Sequence, residues 1–212
     1  LRFQGLERRV QLKLLQEEAE GTVKELVRQV EEKMKSFDVE DAENSFKEVE
    51  KVSAEHSIPM GHDLRLLKAR IQELADLLQR ASAEKVKIAS CLGAGDVLEA
   101  RTALIEAKKC LQQAGKQLDE ELICFEEQVV EAEKKQKLGK SKMKEAEMNV
   151  EAGLLEEARC ALEEARRAFE EAKQDKSEII SELQEKIMNE EIRRETEKRA
   201  AEEAAARKKA EE

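Results

Sequence analysis

Sliding the sequence by 58 residues brings three stretches into register without a gap: Phe37-Asp-Val-Glu-Asp-Ala42, Gly95-Asp-Val-Leu-Glu-Ala100 and Gly153-Leu-Leu-Glu-Glu-Ala158. The agreement runs on through apolar columns: Phe46, Leu104 and Leu162; Val49, Ala107 and Ala165; Leu67, Phe125 and Leu183; Ile71, Val129 and Ile187. Upstream, Val30 aligns with Ile88 and Ala146, and Met34 with Leu92 and Val150. A chain repeating at such a period is built from copies of one small supersecondary unit, each burying its apolar face on its neighbours.

The unit is helical. In the second copy the apolar positions fall at Leu104, Ala107, Leu111, Ala114, Leu118, Leu122, Phe125, Val129 and Ala132, in steps of three and four with one doubled four. That spacing is the seam of packed helices, and the doubled four predicts a local relaxation of the left-handed supercoil. Composition agrees, since 42% of residues are charged and 2% aromatic, too few large rings to fill a thick core. The expected fold is therefore all-α, an elongated antiparallel helical bundle or coiled coil whose core is a thin seam.

Turn signals open each copy. Gly95 can take the left-handed conformation that ends a helix, and Asp96 and Asp38 are cap residues for the helices that follow. Gly153 supplies the same break without a cap. Reversals are predicted near 37, 95 and 153. A break or kink is predicted at 57–62, where Pro59 removes a helix hydrogen bond and Gly61 weakens the next turn. Gly115 is a weaker signal that leaves continuity there open, and residues 173–178 carry none. Each copy is thus either one long helix of about 57 residues, roughly 85 Å at 1.5 Å per residue, or a helix that also reverses in its middle.

Three segments follow. Residues 1–5, Leu-Arg-Phe-Gln-Gly, end like the scar of a tag-removing protease and are set aside. Residues 6–189 form the repeat-built rod. Past Ile187 the seam positions become Glu190, Arg194 and Glu197, so residues 190–212 are expected to form an extended charged helix held by many i,i+4 pairs.

The net charge of −10, with both signs mixed along the chain, gives nucleic acid no basic face to contact. No apolar run is long enough to span a bilayer, and membrane contact is not expected. Cys91, Cys110, Cys124 and Cys160 lack metal-ligand spacing and read as reduced thiols in a cytoplasmic setting. The only histidines, His56 and His62, flank the Pro59 break, with His56 expected on the seam and His62 and Asp63 capping the next helix. No nucleophile or acid–base constellation appears, so no catalytic, cofactor or metal site is expected and the chain reads as a non-enzyme.

One feature exceeds the background. Lys134, Lys135, Lys137, Lys140, Lys142 and Lys144 fall within eleven residues, whereas the equivalent window of the first copy, 76–86, holds two basic residues. Such a cluster suits an acidic partner; the alternative is a solvated face balanced by glutamates of a neighbouring helix.

The stretches from Gly95 to Ala107 and from Gly153 to Ala165 resemble the second helix of a tetratricopeptide repeat and the end of microtubule-interacting-and-transport domains. Both pair a Gly-Asp turn with Glu-Ala and a small/large apolar stripe. The period departs from the roughly 34 residues of tetratricopeptide arrays, and the aromatic residues of their first helix are missing. The chain is also similar in general to spectrin-type and cytoskeletal coiled-coil rods. These resemblances imply a structural or scaffolding rod, a cytoskeletal association, protein partners and a possible homodimer; the runner-up is a helical bundle that binds or bends anionic membranes.

Overall fold

Among the described residues six have positive φ: Phe37, Gly95 and Gly153, and then Ser57, Gly115 and Lys173. Within each set of three the spacing is 58 positions. At each, the amide one residue further on bonds to a carbonyl of the last helical turn, as from Asp96 to Cys91 (2.9 Å), Lys116 to Leu111 (2.9 Å) and Gln174 to Phe169 (2.9 Å). This double-bonded closure is the Schellman motif, which needs a left-handed residue just past the helix. Glycine takes that conformation freely; Phe37, Ser57 and Lys173 adopt it at a cost of about 1–2 kcal/mol each, which packing offsets.

The computed structural model describes residues 2–211, and the side chains of residues 9–207. Among these it is all-α, with seven helices: α1 Arg2–Lys35, α2 Val39–Glu55, α3 His62–Ala94, α4 Val97–Ala114, α5 Glu120–Ala152, α6 Leu155–Glu171 and α7 Ser177–Glu211. The reading of residues 1–5 as a cleavage scar falls on Leu1 and on side chains outside the described residues. Long helices of 33–35 residues alternate with short ones of 17 or 18. At 1.5 Å per residue a short helix reaches about half-way along a long one.

The two alternatives left open by the sequence resolve in favour of mid-copy reversals, and these occur at 115 and 173 as well as in the 57–62 break. The doubled four-residue step is therefore not a supercoil adjustment. Leu118 lies in the α4–α5 connection and is exposed, and the seam restarts at Leu122. His56 also departs from expectation: it is the exposed C-cap of α2 rather than a seam residue, while His62 opens α3.

The chain forms two compact units, residues 1–83 with 107–118, and residues 84–106 with 119–212. In the first, Val30 of α1, Ala42 and Phe46 of α2 and Ile71 of α3 form a core, with Met34, Val39, Met60 and Leu67 against it. In the second, Ala146 of α5, Ala158 and Leu162 of α6 and Ile187 of α7 occupy the same sequence columns. Asp38, Asp96 and Asp119 each accept a bond from a first-turn amide, at 3.3, 3.1 and 3.0 Å. Lys85, at the seam column of Val27 and Met143, remains charged because its ammonium bonds Asp119 (2.5 Å) and Glu121 (2.8 Å). Burial works against that charge, the two carboxylates outweigh it, and the pKa is raised.

α7 carries contacts past the expected boundary at 190. Arg159 pairs with Glu191 (2.5 Å), and Arg194 donates to the Gly153 carbonyl (2.7 Å), so the helix stays against the α5–α6 corner to Arg194. Residues 195–207 are exposed.

Ser53 is buried in α2 with a hydroxyl that has no partner, at the column filled by Leu111 and Phe169. Removing an unpaired buried hydroxyl is favourable. Ser53→Ala is expected to stabilise the fold by about 1 kcal/mol in urea unfolding, because the lone oxygen contributes only a desolvation cost. A loss of stability would show that the hydroxyl is bonded after all.

Candidate functional site

α5 starts at the Asp119 cap, and its inner face is set by Leu122, Val129, Gly139 and Ala146, the buried residues of the helix. A helix turns about 100° per residue, so six lysines between 134 and 144 cannot share one face. The structure divides them.

Lys135 and Lys142, one heptad apart, lie half-buried beside the inner face and are tied to α6. The Lys135 ammonium is 3.1 Å from Glu171, and that of Lys142 is 2.9 Å from Glu164 and 2.8 Å from Glu145. Hydrogen bonds to Glu145 and Glu164 hold the Lys142 ammonium above the ordinary lysine range, against a smaller opposing effect of burial. These two are helix-to-helix fasteners. Lys134 reaches only Glu131 of its own helix, at 3.9 Å.

Lys137, Lys140 and Lys144 are exposed and make no ion pair among the described residues. Their steps of three and four place them on one outward face about 10 Å long. Exposed Val130 and Ile123 continue that face at heptad spacing before Lys137, and exposed Met148 follows Lys144. The six-lysine window is thus a free positive stripe of three residues, bordered by apolar side chains, plus structural lysines that already have carboxylate partners. Heptad arithmetic could have separated Lys135 and Lys142 from the rest, since both fall beside the column of Gly139.

The structural role of Lys135 has a counterpart in the first unit. There an open groove is lined by Met34, Phe37, Leu67, Leu74 and Leu77. In the second unit the matching groove is lined by Leu92, Ala132, Lys135 and Glu171. Lysine thus stands at the column of Leu77, and its ion pair with Glu171 lies in the groove.

The remaining chemistry-bearing residues are dispersed. Cys91 and Cys110 are buried, Cys124 and Cys160 exposed, and all four are free thiols. Burial first, then the charge of Glu99, pushes the Cys91 thiol up in pKa. Among the described residues no group of three or more His, Cys, Asp or Glu is placed to hold a metal ion, and no helix is long and apolar enough to cross a membrane.

No protein-family model, curated protein or solved structure matches the chain. The tetratricopeptide-like resemblance therefore rests on the stretches 95–107 and 153–165, and the spectrin-like one on the general helical pattern.

Proposed function

We propose that this chain is a non-enzymatic helical scaffold that joins other proteins in the cytoplasm, cytoskeletal filaments among them, and that the outer face of α5 is its contact for an acidic protein segment. The observation that carries this reading is the separation of Lys137, Lys140 and Lys144 from Lys135 and Lys142. The latter two have carboxylates within 3.1 Å, whereas the outward three have none. Unpaired like charges on one face repel one another and gain from an added negative partner. Carboxylates spaced by one helical turn on a partner would meet all three, and Val130 and Met148 offer apolar contact at either end.

The test is cosedimentation with microtubules, actin filaments and anionic liposomes, using the wild type, Lys137→Gln with Lys140→Gln and Lys144→Gln, and a control with Lys135→Gln alone. Glutamine keeps helix propensity. The triple variant is expected to melt like the wild type and to bind filaments roughly tenfold more weakly at low salt, with a smaller salt dependence, because exposed charge pairs are individually weak but act together. The control should bind normally and melt lower. Wild-type binding to liposomes alone would replace the protein-scaffold reading with a membrane one. Equal filament binding by the triple variant at every salt concentration would overturn the α5 contact.

A further inference from the structure

α1 carries an apolar segment that serves none of the packing described above. Val10, Leu12, Leu14 and Leu15 are 55%, 61%, 54% and 52% exposed, four large apolar side chains within six positions. From Ala19 onward the same helix is covered, with Ala19, Val23 and Val30 buried. Leu12 and Leu15 extend that seam toward the N-terminus at steps of three and four, and both are exposed.

The segment is also off the columns that the other long helices use. Where α3 has Leu67, Ile71 and Leu74 facing a core, α1 has Arg9, Lys13 and Gln16 at the equivalent positions. The apolar residues stand at neighbouring positions instead, spread around a wide arc of the helix. A helix apolar over so much of its circumference is stable when it is covered.

Charge indicates what covers it. Arg9 lies before the leucines and Lys13 between Leu12 and Leu14, and Glu17, Glu18 and Glu20 follow them; all are exposed, and none makes an ion pair among the described residues. Laid antiparallel on a copy of itself, crossing near Leu14 and Leu15, the segment sets Arg9 and Lys13 of one chain beside Glu20 and Glu17 of the other. Laid parallel, it sets like charges side by side. We infer that residues 9–20 of α1 form an antiparallel, two-fold interface between two copies of this chain, with Leu12, Leu14 and Leu15 as its apolar centre and the flanking charges fixing its orientation. The inference is independent of the α5 face.

Sedimentation equilibrium of the whole chain tests it. The expected result is a concentration-dependent shift from a 24.1 kDa monomer to twice that mass. Leu12→Glu with Leu15→Glu should leave a monomer with unchanged circular dichroism and melting of the isolated chain, since both side chains are exposed. Lys13→Glu should weaken the dimer by about tenfold by setting carboxylate against carboxylate, and adding Glu17→Lys should restore it. Orientation is read by oxidising a mixture of Arg9→Cys and Glu20→Cys chains in a background with Cys124→Ser and Cys160→Ser: antiparallel packing gives the mixed disulfide and little of either symmetric one. A monomer at every concentration, a dimer indifferent to Leu12→Glu with Leu15→Glu, or a predominant 9-to-9 disulfide would each overturn the inference.

Discussion

Gly95→Ala is expected to cost roughly 3–4 kcal/mol, about 1–2 from the left-handed backbone and the rest from forced separation of packed elements. Gly95 has φ +75°, and a Cβ built there would lie 2.1 Å from the Lys173 carbonyl oxygen and 2.6 Å from its carbon. Both are backbone atoms of the α6–α7 connection, so relief requires the whole corner to move. Gln174 adds a bond from its side-chain amide to the Gly95 carbonyl at 3.2 Å, which the same movement would break. Gly115 and Gly153 share the φ of +75° and serve as internal controls. Around Gly115 there is open space, and at Gly153 the obstruction is the guanidinium of Arg194, the far end of a flexible side chain. Alanine at Gly115 should cost only the backbone strain, about 1–2 kcal/mol, and at Gly153 about 0.5 kcal/mol more, through the exposed Arg194 bond that the Cβ displaces. Urea unfolding of the three single variants reads the ranking directly. Equal losses at all three positions would mean that the α3–α4 corner does not rest on the α6–α7 connection.

That contact lay beyond what sequence could disclose, and the reason is general. Gly95 with Asp96 is a local signal: a left-handed residue and a cap act within one turn, and their chemistry can be read residue by residue. The contact with Lys173 joins residues 78 apart, and only folding brings them together. The same distinction separates the helix ends that were legible from those that were not. Pro59 and Gly61 mark the break after α2, and Gly115 gives a faint mark after α4. Lys173 gives none, because a lysine held left-handed by its surroundings looks like any other lysine. Helical content was legible because it follows from spacing alone, whereas Leu118 and His56, placed on the seam by the same spacing, fall in connections and are exposed. The lysine window was legible as a concentration of charge, but its division depended on which face of α5 meets α6, and so on where Glu164 and Glu171 fall. The exposed leucines of α1 show the converse. Nothing in their local spacing marks them as an interface, and only the fold leaves them uncovered.

Gly139 is a helix-interior glycine in α5, where alanine would ordinarily gain about 1 kcal/mol in helix propensity. Yet a Cβ there would meet the Phe169 ring at 2.8–2.9 Å. One period earlier the two columns hold Ala81 and Leu111, and one before that Val23 and Ser53, all buried. As the long-helix residue shrinks from Val to Ala to Gly, the short-helix residue grows from Ser to Leu to Phe, so the summed volume stays nearly level, as close-packed interiors require. Gly139→Ala alone is therefore expected to lose roughly 2 kcal/mol through overpacking, despite its helix propensity. Phe169→Leu alone should lose a similar amount, about 1–2 kcal/mol, by leaving a cavity. The double variant copies the pairing of the second period and should return to within about 0.5 kcal/mol of the wild type, a coupling of roughly 3 kcal/mol across the α5–α6 contact. Losses that simply add in urea unfolding would show that the two columns do not share one space, and that the graded Val, Ala and Gly series has some other origin.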